Sequence, residues 1–153
     1  MSAWPELELD HVVRLRALAA GLPHVALVEC ILDAPPERVW SIVGDLEHGV
    51  PRFEEGVRSA EITARDGERL ELVTRGALGL PMRFRAVLRP GWCVMHSRFA
   101  DIGMAAAPQD DGRRTRFAHF EGSRWLGRLG RPWFRRSVQR DFARLRRLLR
   151  GRW

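Results

Sequence analysis

Two histidines and an arginine, His96, Arg98 and His119, are the side chains in this sequence best suited to proton and charge chemistry. A neutral imidazole has an unperturbed pKa of about 6.5, so it exchanges protons readily around neutrality. A guanidinium stays charged and offers several donors to a developing oxyanion. His96 and Arg98 stand two residues apart in one apolar, strand-like run, and His119 stands in another. The remaining histidines, His11, His24 and His48, are scattered. There is no His-Glu-x-x-His, no Cys-x-x-Cys, no Gly-x-Ser-x-Gly elbow and no phosphate-binding glycine loop. A metal site needs several converging ligands, and no local spacing supplies them. No metal and no other cofactor is therefore expected.

The elements that must position these groups are read from periodicity. An apolar stretch from Val25 to Leu32 reads as a strand. It stops at Pro35-Pro36, which cannot continue a ladder but fits the first turn of a helix. Val39, Trp40, Val43 and Leu46 then recur at helical spacing. Segments 57–64, 68–76, 82–89, 92–99, 103–108 and 115–121 read as strands, punctuated by Asp66-Gly67, Pro90-Gly91 and Asp111-Gly112. Arg131 to Arg150 reads as a long helix whose stripe is Phe134, Val138, Phe142, Leu145 and Leu149. Arg146 is expected on its far side.

Strand parity sorts the faces. Met82, Phe84, Ala86 and Leu88 are expected inside, with Arg83, Arg85 and Arg89 outside. Cys93, Met95, Ser97 and Phe99 form the apolar set of strand 92–99. That sets His96 and Arg98 against them unless a bulge shifts the register. Strand 115–121 offers either Thr115, Phe117, His119 and Glu121 or Arg116, Ala118 and Phe120, and its pattern leaves the choice open.

A chain of 153 residues is long enough for one domain with a real core. We expect a helical extension over residues 1–23 and a single domain over 24–153. Val12, Leu15, Ala19 and Leu22 share one face of the extension, between Pro5 and Gly21. Three roles stay open for it: a helix packed on the body, a lid over a cavity mouth, or a homodimer contact. The absence of a long apolar run, of a secretory leader pattern and of paired-cysteine spacing implies a cytoplasmic protein with Cys30 and Cys93 as free thiols.

The net charge is +7, and all 26 basic residues are arginine. They concentrate at the C-terminus: Arg128, Arg131, Arg135, Arg136, Arg140, Arg144, Arg146, Arg147, Arg150 and Arg152, against the single acid Asp141. The plain reading is a solvated helix face. An acidic protein partner or an anionic membrane would also suit it. Nucleic acid is not expected, because no base-reading motif accompanies the charge.

The run Asp33-Ala34-Pro35-Pro36-Glu37-Arg38-Val39-Trp40 through Asp45, after a strand, resembles the opening of the SRPBCC superfamily. That superfamily includes START-like and Bet v 1-like proteins and bacterial polyketide cyclases/dehydrases. Pro51 to Val57, the strand meander and the C-terminal helix extend the resemblance over His24 to Arg150. Where such proteins often carry Trp-Pro before the second short helix, this chain has Val50-Pro51. The resemblance implies an α+β helix-grip fold: a curved antiparallel sheet wrapped around a long C-terminal helix, here with an extra N-terminal helix. It also implies a cavity for a hydrophobic small molecule, lipid or polyketide chain. The expected lining is Trp40, Leu72, Phe84, Met95, Phe99, Met104, Phe117, Phe134, Val138 and Phe142. A cyclase/aromatase of this kind would use His96, Arg98 and His119 for aldol-type cyclisation and dehydration, and could meet an acidic acyl carrier protein through the arginine-rich helix. The alternative is a non-catalytic carrier of hydrophobic ligands.

Overall fold

The computed structural model describes residues 9–151. Helix α1 (His11–Ala20) starts where Asp10 caps it, its Oδ1 accepting from the Val13 N–H at 2.9 Å. Pro5, expected to open this helix, lies outside the described residues. Strand β1 (Val25–Leu32) runs to the two prolines, and Pro36 occupies the first turn of α2 (Pro36–Val43). A short helix, α3 (Val50–Phe53), follows.

Six strands come next: β2 (Ser59–Asp66), β3 (Arg69–Arg75), β4 (Pro81–Arg89), β5 (Trp92–His96), β6 (Ala100–Gln109) and β7 (Arg114–Ser123). They match the expected segments, and Gly67 turns the β2–β3 hairpin at φ 59°. A 3-10 turn over Gly127–Gly130 leads into α4 (Arg131–Arg150). The seven strands form one antiparallel sheet in the order β1-β7-β6-β5-β4-β3-β2.

One expected strand is shorter than its sequence suggests. Strand β5 ends at His96 because Ser97 folds the chain back. Its Oγ accepts from the Phe99 and Ala100 N–H groups at 3.1 and 2.8 Å. Phe99 is thereby turned out to solvent, 55% exposed, and does not line the interior.

Each face of the sheet carries a helix, although the outer face is open over β2 to β5. Helix α4 lies across the inner face, where Val138, Phe142 and Leu145 join Leu72, Phe84, Met95, Met104 and Phe117 in the main core. The Phe117 and Phe142 rings meet edge-on at 5.5 Å. Helix α1 packs on the outer face, over β6 and β7. Its Val12 and Leu15 are fully buried with Ala105, Ala107, Ala118 and Phe120, and Ala19 and Leu22 flank them. The described part of the extension, through α1, is therefore a helix packed on the back of the sheet, not a lid over the inner face.

Parity decides strand 115–121. Phe117, His119 and Glu121 face α4, while Ala118 and Phe120 face α1. Along α4 the expected stripe holds for Val138, Phe142 and Leu145, but Phe134 and Leu149 at its ends are half-buried. Arg146 is also half-buried, near Cys30, rather than on the far side. It stands four residues after Phe142, and that spacing shares a helix face.

Candidate functional site

The inner face is mostly apolar, with scattered buried hydroxyls such as Thr74, Thr115 and Ser137, and its buried ionisable groups gather at one place. There Glu54, His119, Glu121 and Asp141 converge, with one ligand-capable atom from each lying within 4.8 Å of the others. All four are buried. Glu54 ends α3, His119 and Glu121 are alternate residues of β7, and Asp141 is midway along α4. Three separate elements thus aim acids at one imidazole.

Hydrogen bonds fix the imidazole. His119 Nδ1 donates to the Gly103 carbonyl of the neighbouring strand at 2.9 Å, since a carbonyl can only accept. The other nitrogen, Nε2, faces Glu121 Oε1 at 3.1 Å and Asp141 Oδ2 at 3.3 Å. Asp141 Oδ1 accepts the Glu55 N–H at 2.9 Å, which ties α4 to the segment after α3. Glu54 Oε2 is buried and finds no hydrogen-bond donor.

The electrostatics follow from burial and crowding. Burial, reinforced by the neighbouring Glu121 charge, pushes the Glu54 carboxyl well above the usual carboxylate range. Burial works against a charged His119, but its bonds to Asp141 and Glu121 outweigh that and raise it well above an ordinary imidazole. Burial likewise raises Asp141, to about 6, against the pull of His119. Glu121 moves the other way: His119 overcomes its burial and holds it low. The cluster combines a carboxyl that keeps its proton with a neighbour that gives one up readily, the pairing used in acid–base sites. The same four donors, three carboxylates and one imidazole nitrogen, are also of a type that holds a divalent cation. The expectation of no metal site rested on local spacing, and these residues come from three distant segments.

The other polar residues expected at the site lie elsewhere. Strand parity turns His96 outward, where its Nδ1 lies 2.7 Å from Asp101 Oδ1. His24 Nε2 reaches Asp101 Oδ2 at 2.6 Å, and Arg124 Nε donates to that oxygen at 3.0 Å. His96 borders two open grooves of about 590 and 640 Å³, lined by outward residues such as Glu71 and Arg85. Arg98 is exposed, its guanidinium 5.7 Å from the centre of the Phe99 ring. His96 and Arg98 therefore do not share the interior with His119, and no bulge in β5 brings them there.

Of the expected lining, Leu72, Phe84, Met95, Met104, Phe117, Val138 and Phe142 are buried in the main core. Trp40 and Phe134 are half-buried. Trp40 packs on the core but also borders an outer cleft with His11 and Gly91. Sequence reasoning missed Glu54 and Asp141 and left Glu121 unassigned. Two signals were present. His119 and Glu121 share a strand face by alternation, and Asp141 is a lone acid inside the apolar stripe of an arginine helix. Glu54 carries no local signal.

No family model and no curated relative matches the chain. Solved structures do. Protein CV1439 from Chromobacterium violaceum aligns at 16% identity and TM-score 0.59, covering 86% of this chain and all of that one. TTHA0849 from Thermus thermophilus aligns at 21% identity and TM-score 0.58, covering 80% and 94%. The di-domain ARO/CYC BexL from the BE-7585A biosynthetic pathway aligns at 14% identity and TM-score 0.61, covering 82% of this chain and 46% of that one. The likeness is one of fold, a helix-grip architecture, here with a helix on the outer face of the sheet.

Proposed function

We propose that the chain binds an apolar, carbonyl-bearing molecule of the polyketide class between α4 and the sheet, and assists its aldol-type cyclisation and dehydration. The observation that carries this reading is the cluster of buried ionisable side chains centred on His119, on a mostly apolar face. The fold likeness to the ARO/CYC protein BexL supports it.

The chemistry needs three things. The chain of the substrate must be held folded, for which the core must part between α4 and the sheet, with apolar residues such as Phe84, Met104 and Phe142 as its walls. An acidic α-proton must be removed and the leaving hydroxyl protonated, and the carboxyls and imidazole of the cluster are the groups within reach of one another. The enolate oxygen must be stabilised, for which a protonated His119 or Glu54 is a donor in a site that burial keeps dry. Entry to the cluster would pass the Glu54–Val57 segment, which joins α3 to β2 and is tied to Asp141 through the Glu55 N–H. An acyl-carrier-type partner would meet the exposed Arg135, Arg136 and Arg147 of α4, giving salt-sensitive binding.

The test is product distribution from a model poly-β-ketone with wild type, Glu54→Gln and His119→Gln. Wild type should redirect cyclisation and both variants should lose that effect. Binding without any change in products would replace the enzyme reading by a carrier.

The carrier reading has its own observation. Leu78, Leu80, Phe99 and Trp125 are exposed in the connections at one end of the sheet, and Leu129 in the 3-10 turn and Trp133 in the first turn of α4 are exposed as well, beside Arg98, Arg128 and Arg131. Apolar tips ringed by cations suit an anionic lipid surface. Sedimentation with phosphatidylglycerol vesicles, lost in a Trp125→Ala/Leu129→Ala variant, would favour it.

A further inference from the structure

We infer that Glu54, His119, Glu121 and Asp141 form a binding site for one divalent transition-metal ion. The inference rests on the cluster being the functional centre, as proposed above, but not on the nature of the substrate.

The first argument is direction. His119 Nδ1 must donate to the Gly103 carbonyl, so Nε2 is the atom presented to the carboxylates, and an ion bound there takes the place of the proton that Nε2 shares with Glu121 and Asp141. A metal-ligating histidine is oriented in this way, with its second nitrogen anchored to a backbone carbonyl. The second argument is distance. Four ligands about 2.1 Å from a central ion would be about 3.4 Å apart in a tetrahedron. Nε2 lies 3.1 Å from Glu121 Oε1 and 3.3 Å from Asp141 Oδ2, and all four ligand atoms fall within 4.8 Å of one another.

The third argument is the unpartnered atom. Glu54 Oε2 is buried at the cluster without a donor, and Glu54 abuts the Glu121 carboxylate. An orphaned buried acceptor is costly, and a buried pair of like charges is costlier still. A proton on Glu54 relieves the like-charge contact with Glu121; a cation between the two carboxylates would replace that proton and give Oε2 the partner it lacks. Asp141 is held in place by the Glu55 N–H, as ligating carboxylates commonly are.

The donor set narrows the ion. One imidazole nitrogen with three carboxylates, and no thiolate, suits Zn²⁺, Fe²⁺, Mn²⁺ or Co²⁺ over Cu⁺. Fully ionised, the three carboxyls outweigh a dication by one charge, so the site also selects against monovalent ions. Such an ion would place a Lewis acid beside the point where a substrate carbonyl enters the cluster.

The experiment is a titration of the chelator-treated full chain with Co²⁺ and Zn²⁺ at pH 7, with no substrate present. Wild type should bind one equivalent, show the visible absorption of four- or five-coordinate Co²⁺, and melt at a higher temperature when loaded. Glu54→Gln and Glu121→Gln should each weaken binding by about 100-fold or more, while Arg113→Ala, in the exposed turn between β6 and β7, should not change it. Should one glutamine variant fail to fold, the other decides; should both fail, the wild-type cobalt spectrum decides. A wild type that takes no stoichiometric metal, or glutamine variants that bind like wild type, would overturn the inference. Metal binding with unaltered polyketide products would sink the cyclase reading and leave this one standing. Altered products without metal binding would do the reverse.

Discussion

Asp141 Oδ2 lies 3.3 Å from His119 Nε2, and this pair joins the middle of the C-terminal helix to the strand behind it. Both side chains are fully buried. The helix is otherwise basic on its exposed face, so its one acid is spent inward. The contact therefore registers α4 against β7, in addition to shaping the cluster.

Removing one partner of that pair should be costly. Asp141→Ala would leave the buried Glu55 N–H without its acceptor and take away one of the two carboxylates that face His119 Nε2, an expected loss of about 3–5 kcal/mol. Asp141→Asn keeps a carbonyl oxygen for the Glu55 N–H and should lose less. Urea denaturation of the two variants checks the order, and equal losses would contradict it.

The two faces of α4 should respond differently. Phe142→Ala removes a ring packed on Phe117 and should cost about 3–5 kcal/mol. Arg136→Ala, on the exposed face, should change stability by no more than about 0.5 kcal/mol. Arg146→Ala should fall between them, because its stem is half-buried. Melting temperatures of the three variants give the ranking.

Gly103 has no room for a side chain. A Cβ there would come 2.2 Å from the Phe120 ring, which lies across the strand under α1. Gly103→Ala should destabilise by about 1–3 kcal/mol through overpacking. Adding Phe120→Leu should recover part of the loss, because it opens the space that the methyl needs. A double variant that is less stable than the additive sum would show that the clash lies elsewhere.

The outer network should make stability acid-sensitive. Burial works against the Asp101 charge, but hydrogen bonds from His96, Arg124 and His24 outweigh it and hold Asp101 below the usual carboxylate range. A lowered folded-state value means stability that is present above the unfolded pKa of about 3.9 and lost as pH falls through the folded one. Wild type should therefore exceed Asp101→Asn by a constant margin above about pH 5. Below about pH 3 that margin should shrink. A margin that grows on acidification would reverse the sign of the argument.

The fold was legible in the sequence for local reasons. Pro35-Pro36 ends a strand and starts a helix through the geometry of the ring alone. Asp66-Gly67 makes a hairpin because its glycine takes a positive φ. Phe142 and Leu145 fall on the buried face by spacing. What was not legible depends on register between distant segments. Glu54 meets His119 only because α3 closes against α4, and nothing near Glu54 in sequence announces it. His96 looked chemically apt beside Arg98, yet strand parity had already opposed Met95 to it, and parity prevailed. Ser97 then cut β5 short through side-chain hydrogen bonds that hydrophobic periodicity does not register.

Strand β7 carries a further consequence. It is covered by α4 on one face and α1 on the other, and lies between β1 and β6. Its amides should consequently be among the last to exchange with deuterium, whereas those of β2, paired on one side and largely exposed, should exchange early. His119 and Glu121 would then stand on the slowest-breathing part of the chain. Glu54, delivered by a four-residue helix and a short connection, would approach them from a faster one.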